Sequence, residues 1–143
     1  MKRLSVILLV FISLQGFSQT QSKEEQIRET LQNYIDGSSY NKLGLLKSAF
    51  SQNATLYLTG REGFKRYTPS EYANFFKNRK TGEFNGRYGK ILKVEQVDDI
   101  ATAKVEISIP KAKMIYIDLF LLKEIDGTWK IISKTATRVD NGK

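Results

Sequence analysis

Between Tyr88 and Ser133 the apolar residues recur at every second position, a spacing that an extended strand can bury on one face and a helix cannot. Ala101-Ala103-Val105-Ile107-Ile109, Ile115-Ile117-Leu119-Leu121 and Trp129-Ile131-Ser133 carry the pattern most clearly. Four strands are predicted, over about 91–97, 101–109, 115–121 and 129–133. Turns at Asp98-Asp99, near Lys111 and at Asp126-Gly127 separate them, and connections this short make neighbouring strands antiparallel. The segment 114–122 is apolar on both faces, with Tyr116, Phe120 and Leu122 on one side and Ile117, Leu119 and Leu121 on the other. It therefore belongs at the centre of the sheet. A face that helices leave uncovered also permits a homodimer built sheet to sheet.

Upstream the period is helical. Ser22 followed by Glu25 forms a capping box, and Ile27, Leu31, Tyr34 and Ile35 then lie on one face, so a helix is predicted over about 23–35, ended by Gly37-Ser38-Ser39. A second helix over about 41–49 places Leu43, Leu46 and Phe50 on one side, and 54–58 reads as a strand. Thr68-Pro69-Ser70-Glu71 supplies a cap, Pro at the first helical position and Glu at the third, starting a helix that contains Tyr72, Phe75 and Phe76. Helices first and a meander of long strands last is an α+β arrangement.

The chain has 143 residues, enough for one core, and its 41% apolar and 27% charged residues are those of a folded domain. Residues 1–18 have the parts of an export signal: Lys2 and Arg3, an apolar run from Leu4 to Leu14, and small residues at Gly16 and Ser18. The run is too short to cross a bilayer, which takes about 20 residues. Cleavage before Gln19 would leave 19–143 as a single exported domain, periplasmic or secreted, without a stable membrane anchor. The sequence contains no Cys and no His, which excludes thiol nucleophiles, His bases and Cys/His zinc sites. No carboxylate spacing matches a calcium loop and the Gly-containing segments read as turns, so neither a metal nor a cofactor is expected.

Charge is uneven. Of the net +8, a net of +6 falls between Arg61 and Lys93, where nine basic and three acidic residues are interleaved with Phe64, Tyr67, Tyr72, Phe75, Phe76, Phe84 and Tyr88. Lys77, Arg79 and Lys80 form the densest part of this basic face. In an exported protein it would meet an anionic envelope partner rather than nucleic acid.

Tyr34-Ile35-Asp36-Gly37, Phe50-Ser51-Gln52-Asn53-Ala54, Tyr116-Ile117-Asp118 and the closing segment from Leu122 to Lys134, with Asp126-Gly127-Thr128-Trp129-Lys130-Ile131, give the chain a resemblance to the nuclear-transport-factor-2-like superfamily and, within it, to the exported "putative lumazine-binding" group. The resemblance covers nearly all of 19–143. It implies a strongly curved, mostly antiparallel sheet wrapped on three N-terminal helices, with a conical pocket between the first helix and the concave face. Catalytic relatives often carry a His in that pocket, and many have one where this chain has Gln52. An isomerase that works with an Asp base and a Tyr donor needs none.

Asp118 is the residue that stands out, a lone carboxylate between Tyr116 and Phe120 on one face of an apolar strand, costly there unless paired. If that face is concave, Asp118 lines the pocket with Tyr34, Tyr57, Phe75, Phe76 and Tyr116, and either orients a small apolar or aromatic ligand or acts as the base of a His-independent isomerase or hydratase. The bland reading is a structural carboxylate bonded to Lys134, Arg138 or a Tyr hydroxyl. The expected function is binding of a small molecule; catalysis from Asp118, or docking of an anionic partner on residues 61–93, are the alternatives.

Overall fold

A computed structural model describes residues 21–60 and 62–139; the expected export signal at 1–18 lies outside these residues. Helix α1 (Lys23–Ser39) is followed by α2 (Leu43–Ser48), strands β1 (Phe50–Gly60) and β2 (Gly63–Tyr67), the single turn α3 (Pro69–Ala73), and strands β3 (Tyr88–Val97), β4 (Ile100–Ile109), β5 (Met114–Ile125) and β6 (Thr128–Arg138). The six strands form one sheet in the order β2-β1-β6-β5-β4-β3, antiparallel except where β1 runs parallel to β6. The expected α+β cone, with three helices on a curved sheet, is what the chain forms.

Both expected capping boxes are present. The Ser22 hydroxyl accepts from the Glu25 amide at 3.2 Å while the Glu25 carboxylate accepts from the Ser22 amide at 2.7 Å, and Thr68 and Glu71 repeat the arrangement at α3. Each box satisfies amides that the first turn of a helix leaves open, worth about 1 kcal/mol. From α1, Ile27, Leu31, Tyr34 and Ile35 are buried against the inner face of the sheet, where they meet Ala101, Ala103, Val105 and Ile107 of β4, Phe120 and Leu122 of β5, and Trp129 and Ile131 of β6. Burying one such aliphatic side chain contributes about 1.5–3 kcal/mol. The Thr30 hydroxyl also donates to the Trp129 carbonyl at 3.0 Å, tying α1 to β6.

The sheet bends where its ladders break register. Shifts fall between Ile91 and Lys93 on β3, between Phe50 and Thr55 on β1, and on β6, where Leu121 pairs with Ser133 but Leu122 with Ile131. An extra residue on one strand of a pair kinks it and increases its twist. These bulges curl the sheet around α1.

Several elements differ from the sequence expectation, among them β6, which runs on to Arg138 instead of ending near 133. Helix α1 continues through Gly37-Ser38-Ser39 instead of stopping there, because Gly37 serves close approach: a Cβ on it would come within 2.5 Å of the Leu46 backbone on α2. Strand β1 is longer than 54–58 and forms a hairpin with β2, which alternation did not reveal because β2 is almost wholly exposed and has no buried face to mark it. The third helix is one turn only and passes into a 3-10 turn, Asn74–Phe76.

Gly89 on β3 lies directly under α1, and a Cβ there would come within 2.5 Å of the Ile35 side chain. Gly89→Ala should therefore destabilise the protein by about 1–3 kcal/mol through overpacking. Gly44 sits exposed in α2 with open space around it, so Gly44→Ala should instead stabilise by about 0.5–1 kcal/mol. Urea unfolding midpoints of the two variants should move in opposite directions; a shared direction would contradict this docking of α1 on β3.

Candidate functional site

Asp118 points to the concave face, as the alternation of β5 requires, and is 2% exposed. Its partners across the ladders are Val105 on β4 and Ala136 on β6, neither of which can bond a carboxylate. Help comes from a position two residues along β6 and from the helix. Lys134 Nζ lies 3.0 Å from Asp118 Oδ1, and the Tyr34 hydroxyl donates to Oδ2 at 2.6 Å. A second hydroxyl, that of Tyr72 in α3, is 3.0 Å from Tyr34 Oη. Lys134 Nζ is also 5.5–5.8 Å from the ring centroids of Tyr72, Tyr34 and Phe120, so the ammonium is held by one carboxylate and three aromatic rings.

This centre is closed to solvent. Tyr34 is 0%, Phe120 2%, Lys134 3% and Tyr72 5% exposed. The depth of the cone is therefore occupied by the protein's own side chains, and Asp118 has the geometry of a structural carboxylate. A general base must lie within hydrogen-bond reach of the proton it abstracts. Burial, then the neighbouring Asp118 and Tyr72, hold the Tyr34 hydroxyl protonated well above its ordinary range, against the opposing pull of Arg87.

Above this centre the cone is partly open. Tyr67 and Tyr116 are half-buried and Phe75 is 54% exposed; Phe75 meets Tyr67 at 5.3 Å and Tyr72 at 5.6 Å, both edge to face. Arg87 enters from the residue before β3, in phase with Gly89, and its guanidinium carbon lies 5.4 Å from the centroid of Phe76. Burial works against that charge, but Tyr72, Tyr34, Asp118 and Tyr116 outweigh it and keep the guanidinium firmly protonated. The loop that delivers Arg87 is fastened to the end of α1: Asn85 Nδ2 donates to the Ser38 carbonyl at 2.6 Å and to Asn41 Oδ1 at 2.7 Å, while Asn41 Nδ2 donates to the carbonyls of Lys80 and Glu83.

The six residues expected to line one pocket divide among three places. Tyr34, Asp118 and Phe76 lie in the closed interior, and Tyr116 and Phe75 at the mouth. Tyr57 is on the other side of the sheet, because its neighbours Ala54 and Leu56 are the buried residues of β1, and it stacks there on Phe64 with centroids 6.0 Å apart. That outer face carries an open groove of about 580 Å³ lined by Tyr57, Lys93, Lys104, Leu119, Leu121 and Thr135 among others. Lys77, Arg79 and Lys80 stand exposed together on the loop after the 3-10 turn. Among the described residues no cluster of three or more acidic side chains could hold a metal ion, and no helix is long and apolar enough to cross a membrane.

Removing one partner of a buried ion pair leaves an uncompensated charge, at a cost of about 3–5 kcal/mol. Asp118→Asn and Lys134→Met should each lose stability of that order in urea, while Asp118→Leu with Lys134→Met should recover much of it; singles within about 1 kcal/mol of wild type would contradict the pairing. Because the folded state keeps Tyr34 neutral while the unfolded chain ionises near the ordinary 10.0, the folded state binds more protons above that pH. Stability should be level below pH 10 on this account and fall above it, less steeply in Tyr34→Phe.

A family model described as "Putative lumazine-binding" matches residues 22–136. Among solved structures, a protein of unknown function from Shewanella baltica, described as NTF2-like, superposes with a TM-score of 0.71 at 18% identity, over 84% of this chain and 98% of that one. An NTF2-like protein from Methylobacillus flagellatus gives 0.70 at 21% identity, over 85% and 96%. A ketosteroid isomerase-like protein from Erwinia carotovora atroseptica gives 0.60 at 16% identity, over 79% and 93%. At these identities the likeness establishes the fold. No curated protein matches the chain.

Proposed function

The chain belongs to the family described as putative lumazine-binding, within the nuclear-transport-factor-2-like superfamily, and from that premise we propose that it is a non-catalytic binding domain that takes a small aromatic molecule at the mouth of its cone. The observation that carries this is the uneven covering of the inner face. Its polar centre is sealed, yet Phe75, which packs on Tyr72 of that centre, is exposed, and Tyr67 and Tyr116 are half-buried. Aromatic walls with a few convergent polar groups are what a ligand site is made of. Lumazine, the compound in the family description, is a planar bicyclic heteroaromatic and fits such a rim in kind. In this reading Asp118 does no acid–base chemistry; with Lys134 and Tyr34 it makes the rigid floor on which a ligand rests.

The second half of the proposal is a homodimer through the outer face of the sheet. Leu119 and Leu121 are 46% and 50% exposed on β5, and Phe64 is 68% exposed beside Tyr57, apolar surface of the kind that interfaces use. A second copy laid on the groove would cover it. Export of residues 19–143 completes the reading, with the basic loop at Lys77, Arg79 and Lys80 facing outward.

Calorimetric titration of residues 19–143 with lumazine should show binding that Tyr116→Ala and Phe75→Ala each weaken by about tenfold, the loss of roughly 1.4 kcal/mol of ring contact. Tyr57→Ala should leave that affinity unchanged. Leu121→Lys, which sets a third cation beside Lys93 and Lys104, should convert a dimer to a monomer in sedimentation while the circular dichroism stays native. If Tyr57→Ala abolishes ligand binding and the mouth variants do not, the site is the outer groove and the proposal is wrong. A wild-type chain that sediments as a monomer would remove the dimer.

A further inference from the structure

Arg87 is the one cation of the interior that the fold does not explain. Lys134 has Asp118; Arg87 has no carboxylate of its own among the described residues, since the acid it senses, Asp118, is already engaged on both oxygens by Lys134 and Tyr34. Its Nε is buried and finds no hydrogen-bond partner among the described residues. A buried donor left unmade is costly, and the cation–π contact of the guanidinium with Phe76 offsets only part of that cost. The inner face thus holds two cations against one carboxylate, an excess of a single positive charge.

The side chain is nonetheless held in place with some care. The Arg87 amide donates to Asn85 Oδ1 at 3.2 Å, and Asn85 is bonded through its Nδ2 to Ser38 and Asn41, so the loop presents Arg87 from a fixed backbone instead of leaving it to find solvent. The phase of β3 then turns it inward with Gly89, whose missing side chain gives room beside Ile35. Around the guanidinium stand Phe76, Tyr72 and Tyr116, which can flank a flat molecule but can supply only hydroxyls in answer to a charge.

We propose that Arg87 is an anion-binding group and that the ligand of the cone mouth is an aromatic monocarboxylate, its carboxylate on the Arg87 fork and its ring against Tyr116 and Phe75. This rests on the aromatic-ligand reading above and adds the ligand's charge to it. A carboxylate matches the paired N–H groups of a guanidinium in a way that a neutral amide does not, and in a partly desolvated setting such charge-assisted bonds are the stronger kind. The single excess charge suits a monoanion. A doubly charged phosphate would bring more charge and more acceptors than one guanidinium can answer.

Matched acid and amide probes test it: benzoate and benzamide, 2-naphthoate and 2-naphthamide, indole-3-acetate and indole-3-acetamide, titrated calorimetrically into wild type, Arg87→Gln, Arg87→Lys and, as a control for general surface charge, Lys80→Gln. Wild type and Lys80→Gln should bind the acid of at least one pair about tenfold tighter than its amide, and Arg87→Gln should bring the two together by losing affinity for the acid alone. Arg87→Lys should keep part of the preference. In 15N NMR of the wild type, the Arg87 Nε–H resonance should shift with the acid and not with its amide, a readout that stands even if a variant fails to fold. Acids and amides bound equally by wild type, or a preference that survives in Arg87→Gln, would make Arg87 a structural cation stacked on Phe76 and overturn this inference while leaving the aromatic site intact. Failure of every probe at millimolar concentration would overturn this inference, and if lumazine also fails to bind the wild type, the aromatic site falls with it.

Discussion

The fold turns on what β5 does with Asp118. A central strand buried on its inner face cannot carry an ionised group there without an opposite charge and a donor, and neither strand beside it supplies one directly across. The solution recruits three separate parts of the chain: Lys134 from β6, Tyr34 from the middle of α1, and Tyr72 from α3 behind Tyr34. Apolar packing alone would let α1 slide or rotate on the sheet at little cost, because leucines and isoleucines are satisfied in many registers. A carboxylate–ammonium–hydroxyl cluster is satisfied in one. The Asp118 centre therefore serves to fix the position of α1 and α3 over the sheet, and with them the mouth that those elements frame.

That arrangement was only partly legible in the sequence. The helix starts could be read because capping is a local matter: Ser22-Glu25 and Thr68-Glu71 make the same bonds whatever the rest of the molecule does. Strand β4 could be read because its alternation is uninterrupted, and β5 because its run is apolar on both faces. Asp118 could be marked as anomalous by type and phase alone. Its partner Lys134 could be named as a candidate by type and neighbourhood, along with a Tyr hydroxyl, but its direction could not be read, since the alternation Trp129-Ile131-Ser133 assigns Ser133 to the inner face and Lys134 to water. The bulge at Ile132 reverses that phase and turns Lys134 inward. A bulge is a property of two paired strands and leaves little trace in one. Tyr57 failed for a related reason, because a short half-exposed strand gives no certain phase until its neighbours Ala54 and Leu56 are seen to be buried. In the linear sequence Arg87 belongs to the basic stretch 61–93, but it stands two residues before Gly89, and the period of two that places β4 also turns it inward.

A cone of this kind separates two jobs that a ligand site must otherwise combine. Its depth sets shape and rigidity and is shut; its mouth meets the outside and can vary. Relatives of the same architecture can then differ in what they bind by changing the loop between the 3-10 turn and β3 and the last residues of β5, without disturbing the ionic centre beneath. In this chain that loop is stitched to the end of α1 by Asn41 and Asn85, so the mouth inherits the rigidity of the floor.

The charge pattern takes on a different meaning in three dimensions. As a linear feature, the basic stretch 61–93 suggests one polyanion-binding face. In the folded chain Lys77, Arg79 and Lys80 are hydrated side chains on an exposed loop, where each costs little and where salt screens whatever field they make beyond about a Debye length. Arg87, a few residues on, sits where water is largely excluded and electrostatic interactions are correspondingly stronger. One positive charge in that setting constrains a ligand more than three on the loop constrain a surface partner. The net charge of the segment describes the loop, while the chemistry it can perform lies with the residue that the period of β3 turns inward.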